Sequence, residues 1–179
     1  MARVMKALTA ISLLLSIMFG VLWLRGAVWA DAFAITFGTF FYHFAMRLAV
    51  GNGVNAIMAN KADWRKGWYQ LRPFEHRLYR LLQVKKWKGR MPTYDPSGFD
   101  PRQHSWEEIA QAMCQAEIVH EVIIALSFLP LLAAIPFGAF GVFLITSILA
   151  ALFDLCFVIM QRYNRSRIIK LISKERTAK

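Results

Sequence analysis

Acidic side chains are scarce in this chain: 11 Asp and Glu stand against 22 Lys and Arg, giving a formal charge of +11 over 179 residues. Cysteine is rarer still, with only Cys114 and Cys156, and neither belongs to a CxxC or a Cys/His spacing. A disulfide scaffold and a structural zinc site are therefore disfavoured. The chain also lacks a Walker GxxxxGKS/T, a GxGxxG and a GxSxG. Nucleotide hydrolysis and a serine-hydrolase elbow have no support. No internal repeat is evident.

What the chain does have is apolar length. Hydrophobic residues make up 57% of it and the mean hydropathy is +0.38, an odd pairing with strong basicity for a soluble protein. The combination predicts an all-α integral membrane protein with cationic water-facing segments. Four spans are expected, at about 8–24, 28–50, 118–135 and 139–160, arranged as two hairpins. The run from Leu8 to Leu24 is of span length and has no convincing small-residue cleavage site, so it reads as a retained helix rather than a signal peptide. Arg25-Gly26 leaves only a tight turn before the second span, and "GNGVN" (51–55) is expected to break the helical pattern.

Between the hairpins, residues 51–117 form a loop in which Trp64, Trp68, Tyr69, Phe74, Tyr79 and Trp87 alternate with Lys and Arg, a pattern suited to a segment lying in the headgroup layer. "MPTYDPSGFDPRQHSWEE" carries three prolines and a glycine and reads as irregular loop. Ser105 with Glu108 is a capping box that starts the third helix, and Pro130 predicts a kink within it. "IPFG" (135–138) turns the chain into the fourth span. With no separate soluble domain expected, residues 1–179 read as one membrane domain ending in a tail, 161–179.

Of the 22 basic residues, 11 fall between Lys61 and Arg102 and seven from Arg162 onward. The N-terminus, the loop and the tail all lie on one side of a four-span protein, and the positive-inside rule assigns that side to the cytoplasm of a bacterial cell membrane. Nucleic acid is a weaker explanation of the charge than anionic lipid headgroups. Membrane lipids are the expected partners, and no nucleic acid.

Polar residues at membrane depth are costly unless paired or lining a wet cavity. His43 and Arg47 share a face near the end of the second span. Glu117, His120 and Glu121 share a face where the third helix enters the membrane, and Gln161, Arg162, Asn164 and Arg165 sit where the fourth leaves. Three helices thus bring polar groups to one level, which predicts a site. A carboxylate beside imidazole suits a general base drawing a proton from a hydroxyl. The same residue types ligate metals, but "EIVHE" is not HExxH, and a site would need His43 as a further ligand. Asp154, deeper in an apolar run, fits a helix-packing acid, a partner of His43 or Arg47, or a proton-handling group. His76 and His104 read as solvent-facing. In "LYRLLQVKKWKGRMP", Lys85, Lys86, Lys88 and Arg90 surround Trp87 and suit either anionic headgroups or the phosphates of an acyl donor.

In their order and intervals, "VKKWKGRMP", "AEIVH" opening a membrane helix and "QRYNRSR" closing the last one resemble the small bacterial membrane acyltransferases typified by the glycosyl-4,4'-diaponeurosporenoate acyltransferase of staphyloxanthin biosynthesis. The resemblance covers about residues 64–170. The chain departs from the pattern at Ser166, where proline is expected, and in its longer "TYDPSGFD" loop. The resemblance implies transfer of a fatty acyl chain to a sugar hydroxyl of a glycosyl carotenoid or other glycolipid dissolved in the membrane. It points to Lys85, Lys86, Trp87 and Lys88, to Glu117 and His120, and to Gln161, Arg162, Tyr163, Asn164 and Arg165.

The leading expectation is an O-acyltransferase with no tightly bound cofactor, whose donor substrate is acyl-CoA or acyl carrier protein. His120, oriented by Glu117, would deprotonate the acceptor hydroxyl, and Arg162, Asn164 or Gln161 would stabilise the oxyanion. The Lys-Trp segment would hold the donor's anionic part, with His43, Arg47, Glu121, Tyr163 and Arg165 completing the substrate-binding wall. Two other classes stay open: a non-catalytic lipid-binding subunit, and a metal-dependent lipid-modifying enzyme using His43, Glu117 and His120.

Overall fold

The computed structural model describes residues 2–94 and 96–177. Met1, Asp95 of the proline-rich loop, and Ala178 and Lys179 of the tail lie outside the described residues. Among those described, the chain is helical with no strand. Helices α1 (Ala2–Leu24) and α2 (Ala30–Met58) are followed by two short helices, α3 (Pro73–Leu81) and α4 (Val84–Trp87). Then come α5 (Trp106–Leu126), α6 (Ala134–Phe137) and the long α7 (Phe140–Thr177). Four segments are long and apolar enough to cross a membrane: 2–24, 30–58, 106–137 and 140–177.

The first hairpin turns at Arg25-Gly26, where Gly26 adopts φ +99°, a left-handed conformation that a β-carbon would strain. Its two helices pack through a small-residue contact, with the Ser16 hydroxyl donating to the Ala34 carbonyl at 3.0 Å. Phe19 stacks on both Phe33 and Phe37. Beyond these contacts α1 is largely exposed along apolar side chains, the surface expected of a helix facing lipid.

The second helix differs from expectation. α2 runs through "GNGVN" and ends only at Met58, with Ala59 in the left-handed region. Glycine weakens a helix by about 1 kcal/mol relative to alanine, and here tertiary bonds offset that cost. The Gln115 amide donates to Asn55 Oδ1 at 3.0 Å, and Gln115 Oε1 accepts the Asn60 backbone N–H at 2.7 Å. The end of α2 is thereby clamped to the start of α5.

α5 begins at the capping box read from the sequence: the Ser105 hydroxyl accepts from the Glu108 N–H, and Glu108 accepts from the Ser105 N–H at 2.8 Å. Pro130 does not kink α5. The helix stops at Leu126, and Pro130 lies at the start of a 3-10 turn, Leu129–Ala133, that leads into α6. A proline lacks the N–H an α-helical interior requires, and it is accommodated in a first turn. Gly138, at φ +70°, and Ala139, at φ 53°, reverse the chain into α7.

α5 and α7 pack along their lengths and α2 lies against α5, so the bundle places the α1 start, the α2 end, the α5 start and the α7 end together. At that end the loop folds down onto the helices. Ala62, Trp64 and Tyr69 bury against Ala110 and Cys114 of α5 and Ile172 of α7. The seventh helix does not stop at Met160 but continues through the basic tail, because the loop gives its outer turns an apolar surface to pack against. That docking fixes the level at which the polar side chains of α5 and α7 meet.

Candidate active site

α7 carries the site's polar residues on its face toward α5. Asp154 and Gln161 are seven residues apart and so nearly in register on one stripe. Arg162 and Arg165 follow about 12 to 16 Å farther along the axis from Asp154. The stripe forms two ionic centres, one inside the other.

The inner centre joins α2, α5 and α7. Asp154 is 1% exposed and accepts from two sides. Its Oδ2 pairs with Arg47 Nη2 of α2, and its Oδ1 lies 2.8 Å from His120 Nδ1 of α5. Arg47 also donates from Nη1 to the His43 carbonyl at 3.1 Å. In the tautomer whose Nδ1–H donates to Asp154, Nε2 presents a lone pair. Phe157 stacks on the His120 ring at 4.4 Å with 5° between planes, which fixes its tilt. His120 is thus held in place, with no hydrogen bond to its Nε2 among the described residues.

Two further side chains at this centre have no partner among the described residues. His43 is 8% exposed and neither ring nitrogen is hydrogen-bonded. Gln161 is 6% exposed, and its amide makes no hydrogen bond among the described residues. Burying a polar group unpaired costs about 1–3 kcal/mol, a cost that falls on the His43 ring.

The outer centre is saturated. Arg162 donates from Nε and Nη2 to Glu75 of α3 at 2.9 and 2.6 Å, and from Nη1 to Glu117 of α5 at 2.6 Å. Its two remaining N–H groups reach the carbonyls of Trp68 and Gln70, each at 2.9 Å. All five guanidinium donors are committed, the number arginine possesses. Arg165 donates to the Tyr69 carbonyl from Nε and Nη2, and its Nη1 meets Glu117 Oε2 as an ion pair without hydrogen-bond alignment. Glu117 is fully buried between the two arginines.

This corrects two expectations. Glu117 does not orient His120: its oxygens face Arg162 and Arg165, and the histidine's partner is Asp154, 34 residues away in the chain. Nor does Arg162 keep an N–H for an oxyanion. Both residues pin α5, α7 and the loop together. Glu117 and His120 are three positions apart on one helix, but local spacing does not reveal that α7 offers each a different partner.

Glu75 is the residue sequence reasoning missed. Burial works to raise its carboxyl, but hydrogen bonds from Arg162 and Tyr79, the latter at 2.6 Å, outweigh it and hold the group below the usual carboxylate range. The same contact, added to burial, pushes the Tyr79 hydroxyl up. A depressed folded-state carboxyl contributes stability above its unfolded value, near 4.3, that is lost as pH falls through the lower folded value. Acid unfolding of the wild type, followed by tryptophan fluorescence in detergent, is expected below about pH 4, and Glu75→Gln is expected to flatten that limb of the curve. The available signal was Glu75 at the third position after Arg72, where it accepts the Arg72 N–H to start α3. That marks a helix start, not a long-range ion pair.

A third cluster lies on the outer flank. Lys88 donates to Asn164 Oδ1 at 2.5 Å and sits 5.3 Å from the Tyr163 ring, which meets Tyr79 edge-on. Half-burial, then the nearby Arg167, lower its pKa, and no carboxylate among the described residues pairs with it. Lys85 and Lys86 are exposed beside it, and the Trp87 indole donates to the Leu82 carbonyl. Glu121 accepts from the Trp68 indole at 3.1 Å. His76 is exposed and His104 is half-exposed. Among the described residues, no three His, Cys, Asp or Glu side chains are grouped to hold a metal ion, and Glu117, in the arginine pair, is not placed with His43 and His120.

The sequence model of a family described as glycosyl-4,4'-diaponeurosporenoate acyltransferase matches residues 65–174. That range contains Glu75, Lys88, Glu117, His120, Asp154, Gln161, Arg162 and Arg165, and leaves out His43 and Arg47 of α2. Neither the curated proteins nor the solved structures give a match to the chain.

Proposed function

The chain belongs to the glycosyl-4,4'-diaponeurosporenoate acyltransferase family, and from that premise we propose that it moves a fatty acyl group from a thioester to a hydroxyl of a glycosylated, lipid-soluble acceptor. The observation that carries the reading is the buried Arg47–Asp154–His120 relay with a free His120 Nε2. His120 Nε2 takes the proton of the acceptor hydroxyl as its oxygen attacks the thioester carbonyl. Asp154 holds the Nδ1 proton and stabilises the imidazolium, and Arg47 holds Asp154. The carbonyl oxygen, now an anion, is met by the amide N–H of Gln161, the unpaired donor on the Asp154 stripe. Collapse re-forms the carbonyl and expels the thiolate, which takes the proton back from His120. The acceptor emerges as an ester and the donor as a free thiol.

Positive charge on the loop and the α7 tail supports placing this end of the bundle in the cytoplasm, with both termini. There a water-soluble acyl-CoA or acyl carrier protein meets an acceptor arriving from the bilayer. Lys88, with no acidic partner among the described residues and near Lys85, Lys86 and Arg167, suits the donor's phosphate. Lys88→Glu is expected to raise the donor KM about tenfold or more with kcat little changed, since a remote charge contributes equally to ground and transition states. Initial rates across donor concentration separate the two.

The reading itself is tested by incubating purified protein with radiolabelled acyl-CoA, or in parallel with labelled acyl carrier protein, and membrane lipids of a strain lacking the protein. Label is expected in an ester-linked lipid. No labelled lipid from either donor would overturn acyl transfer.

A further inference from the structure

Helix α3 is built inside out for a helix in water. Its buried side chains are Glu75 and Tyr79, and its exposed ones include Phe74 at 59% and Leu81 at 79%. Nine residues are too few to hold a helix alone. Pro73 at the first position and Glu75, which accepts the Arg72 N–H, start it. The contacts of Glu75 with Arg162 and of Tyr79 with Tyr163 then fix its rotation against α7. Phe74, Leu78 and Leu81, at i, i+4 and i+7, are left as one exposed apolar stripe, roughly 10 Å long.

The charge around the stripe is of one sign. Between Trp64 and Tyr94 the sequence has nine Lys and Arg and one acid, Glu75, which is buried against Arg162. Arg77 and Arg80 are exposed beside the stripe, on the side of α3 turned away from Glu75 and Tyr79. The level of the helix is fixed as well. α7 has no basic residue from Phe140 to Gln161, and Arg162, which holds Glu75, is the first after its apolar run. α3 therefore lies where a spanning α7 would leave the hydrocarbon.

We infer that α3 is an interfacial anchor: Phe74, Leu78 and Leu81 enter the membrane leaflet bordering this end of the bundle, and Arg77 and Arg80 hold the anionic headgroups of its lipids. A lipid surface fits better than a protein partner for two reasons. The exposed apolar sides of the long helices already require a bilayer around them, ending at this level, and an apolar stripe edged by unopposed cations is the pattern that anionic lipid attracts. Seated in this way, α3 braces Arg162 from the membrane side, and the chain beyond it carries Lys88 at headgroup level.

The test uses the full chain, purified and reconstituted in nanodiscs that contain phosphatidylglycerol. An environment-sensitive fluorophore is attached at Leu81→Cys or, nearly opposite the stripe, at His76→Cys. Both are made with Cys156→Ser, since Cys114 is buried. The label at 81 is expected to be quenched by lipids brominated on their tails and shielded from aqueous iodide, and the label at 76 the reverse. Exchanging phosphatidylglycerol for phosphatidylcholine is expected to lower tail quenching at 81. Arg77→Gln with Arg80→Gln is expected to do the same in the anionic bilayer, the ratio of seated to unseated helix falling about fivefold for each cation lost.

Iodide quenching at 81 equal to that at 76 overturns the inference. So does tail quenching at 81 that is unchanged by the lipid exchange, which would leave anionic headgroups no part in it. Shielding of 81 from both quenchers also overturns it, since protein would then cover the stripe. The lipid exchange is read with the native arginines in place, so a folding failure of the double variant leaves the test decisive. No acyl transfer enters the measurement, and seating of α3 and the acyl-transfer reading can fail separately.

Discussion

Asp154→Asn is expected to lower acyl transfer by about 10²- to 10⁴-fold, the range a positioned general base contributes, with protein still present in the membrane. Asn keeps the shape and one carbonyl oxygen, so the side chain still fits between α2, α5 and α7. What it loses is the charge that faces both Arg47 and His120. Without it nothing fixes the proton on Nδ1, and the imidazolium formed during attack has no counter-ion. The loss is expected in kcat, because Asp154 is buried with its oxygens facing Arg47 and His120. A wild-type kcat in this variant would mean that the relay is structural and that the base lies elsewhere. Arg47→Lys is the companion: it keeps the charge and is expected to retain more activity than Arg47→Ala.

Arg162→Met is expected to fail differently, by unfolding. It leaves buried Glu75 with only the Tyr79 hydroxyl and the Arg72 N–H, leaves buried Glu117 with only Arg165, and frees the carbonyls of Trp68 and Gln70 that hold the loop. Removing one partner of a buried ionic group destabilises by about 3–5 kcal/mol, a large share of the stability of a small protein. Arg162→Lys is expected to rescue little, since an ammonium has three donors where five are used and cannot form the paired contact with Glu75. Thermal melts of detergent-solubilised protein should show a marked fall for both variants. A melt like the wild type's, with activity gone, would move Arg162 back among the reacting groups.

These two variants separate what sequence reading had merged. The four apolar helices were legible because runs near span length announce themselves, and the Ser105 capping box because its signal is local. The "GNGVN" helix was not: local glycine content argues against it, and the Asn55–Gln115–Asn60 clamp that offsets the glycines joins residues 55 to 60 apart. The convergence of polar residues on three helices could be read from depth, but their pairing could not. Glu117 stands three residues before His120 and invites a local partnership. The actual partners come from α7, where Asp154 and Arg162 are two turns apart on a helix whose rotation against α5 the sequence does not specify. Asp154 itself carried a usable signal, an acid in an apolar run that suggested Arg47 as a partner, and the missing step was to add His120 of α5.

The "QRYNR" stretch divides accordingly. Arg162 and Arg165 hold the loop on the bundle, Tyr163 and Asn164 contact Lys88 on the outer flank, and Gln161 is buried with no amide hydrogen bond among the described residues. One short segment thus supplies the frame and the contact to Lys88, and on the proposed reading the oxyanion donor as well.

The account turns on His120 as the base for acyl transfer. Its most direct test is mass spectrometry of lipids from a strain lacking the protein, complemented with wild type or with His120→Ala at matched membrane levels. Wild type is predicted to restore an acylated glycolipid, while His120→Ala accumulates the unacylated precursor as the deletion does. An acylated product at wild-type level from His120→Ala would contradict it.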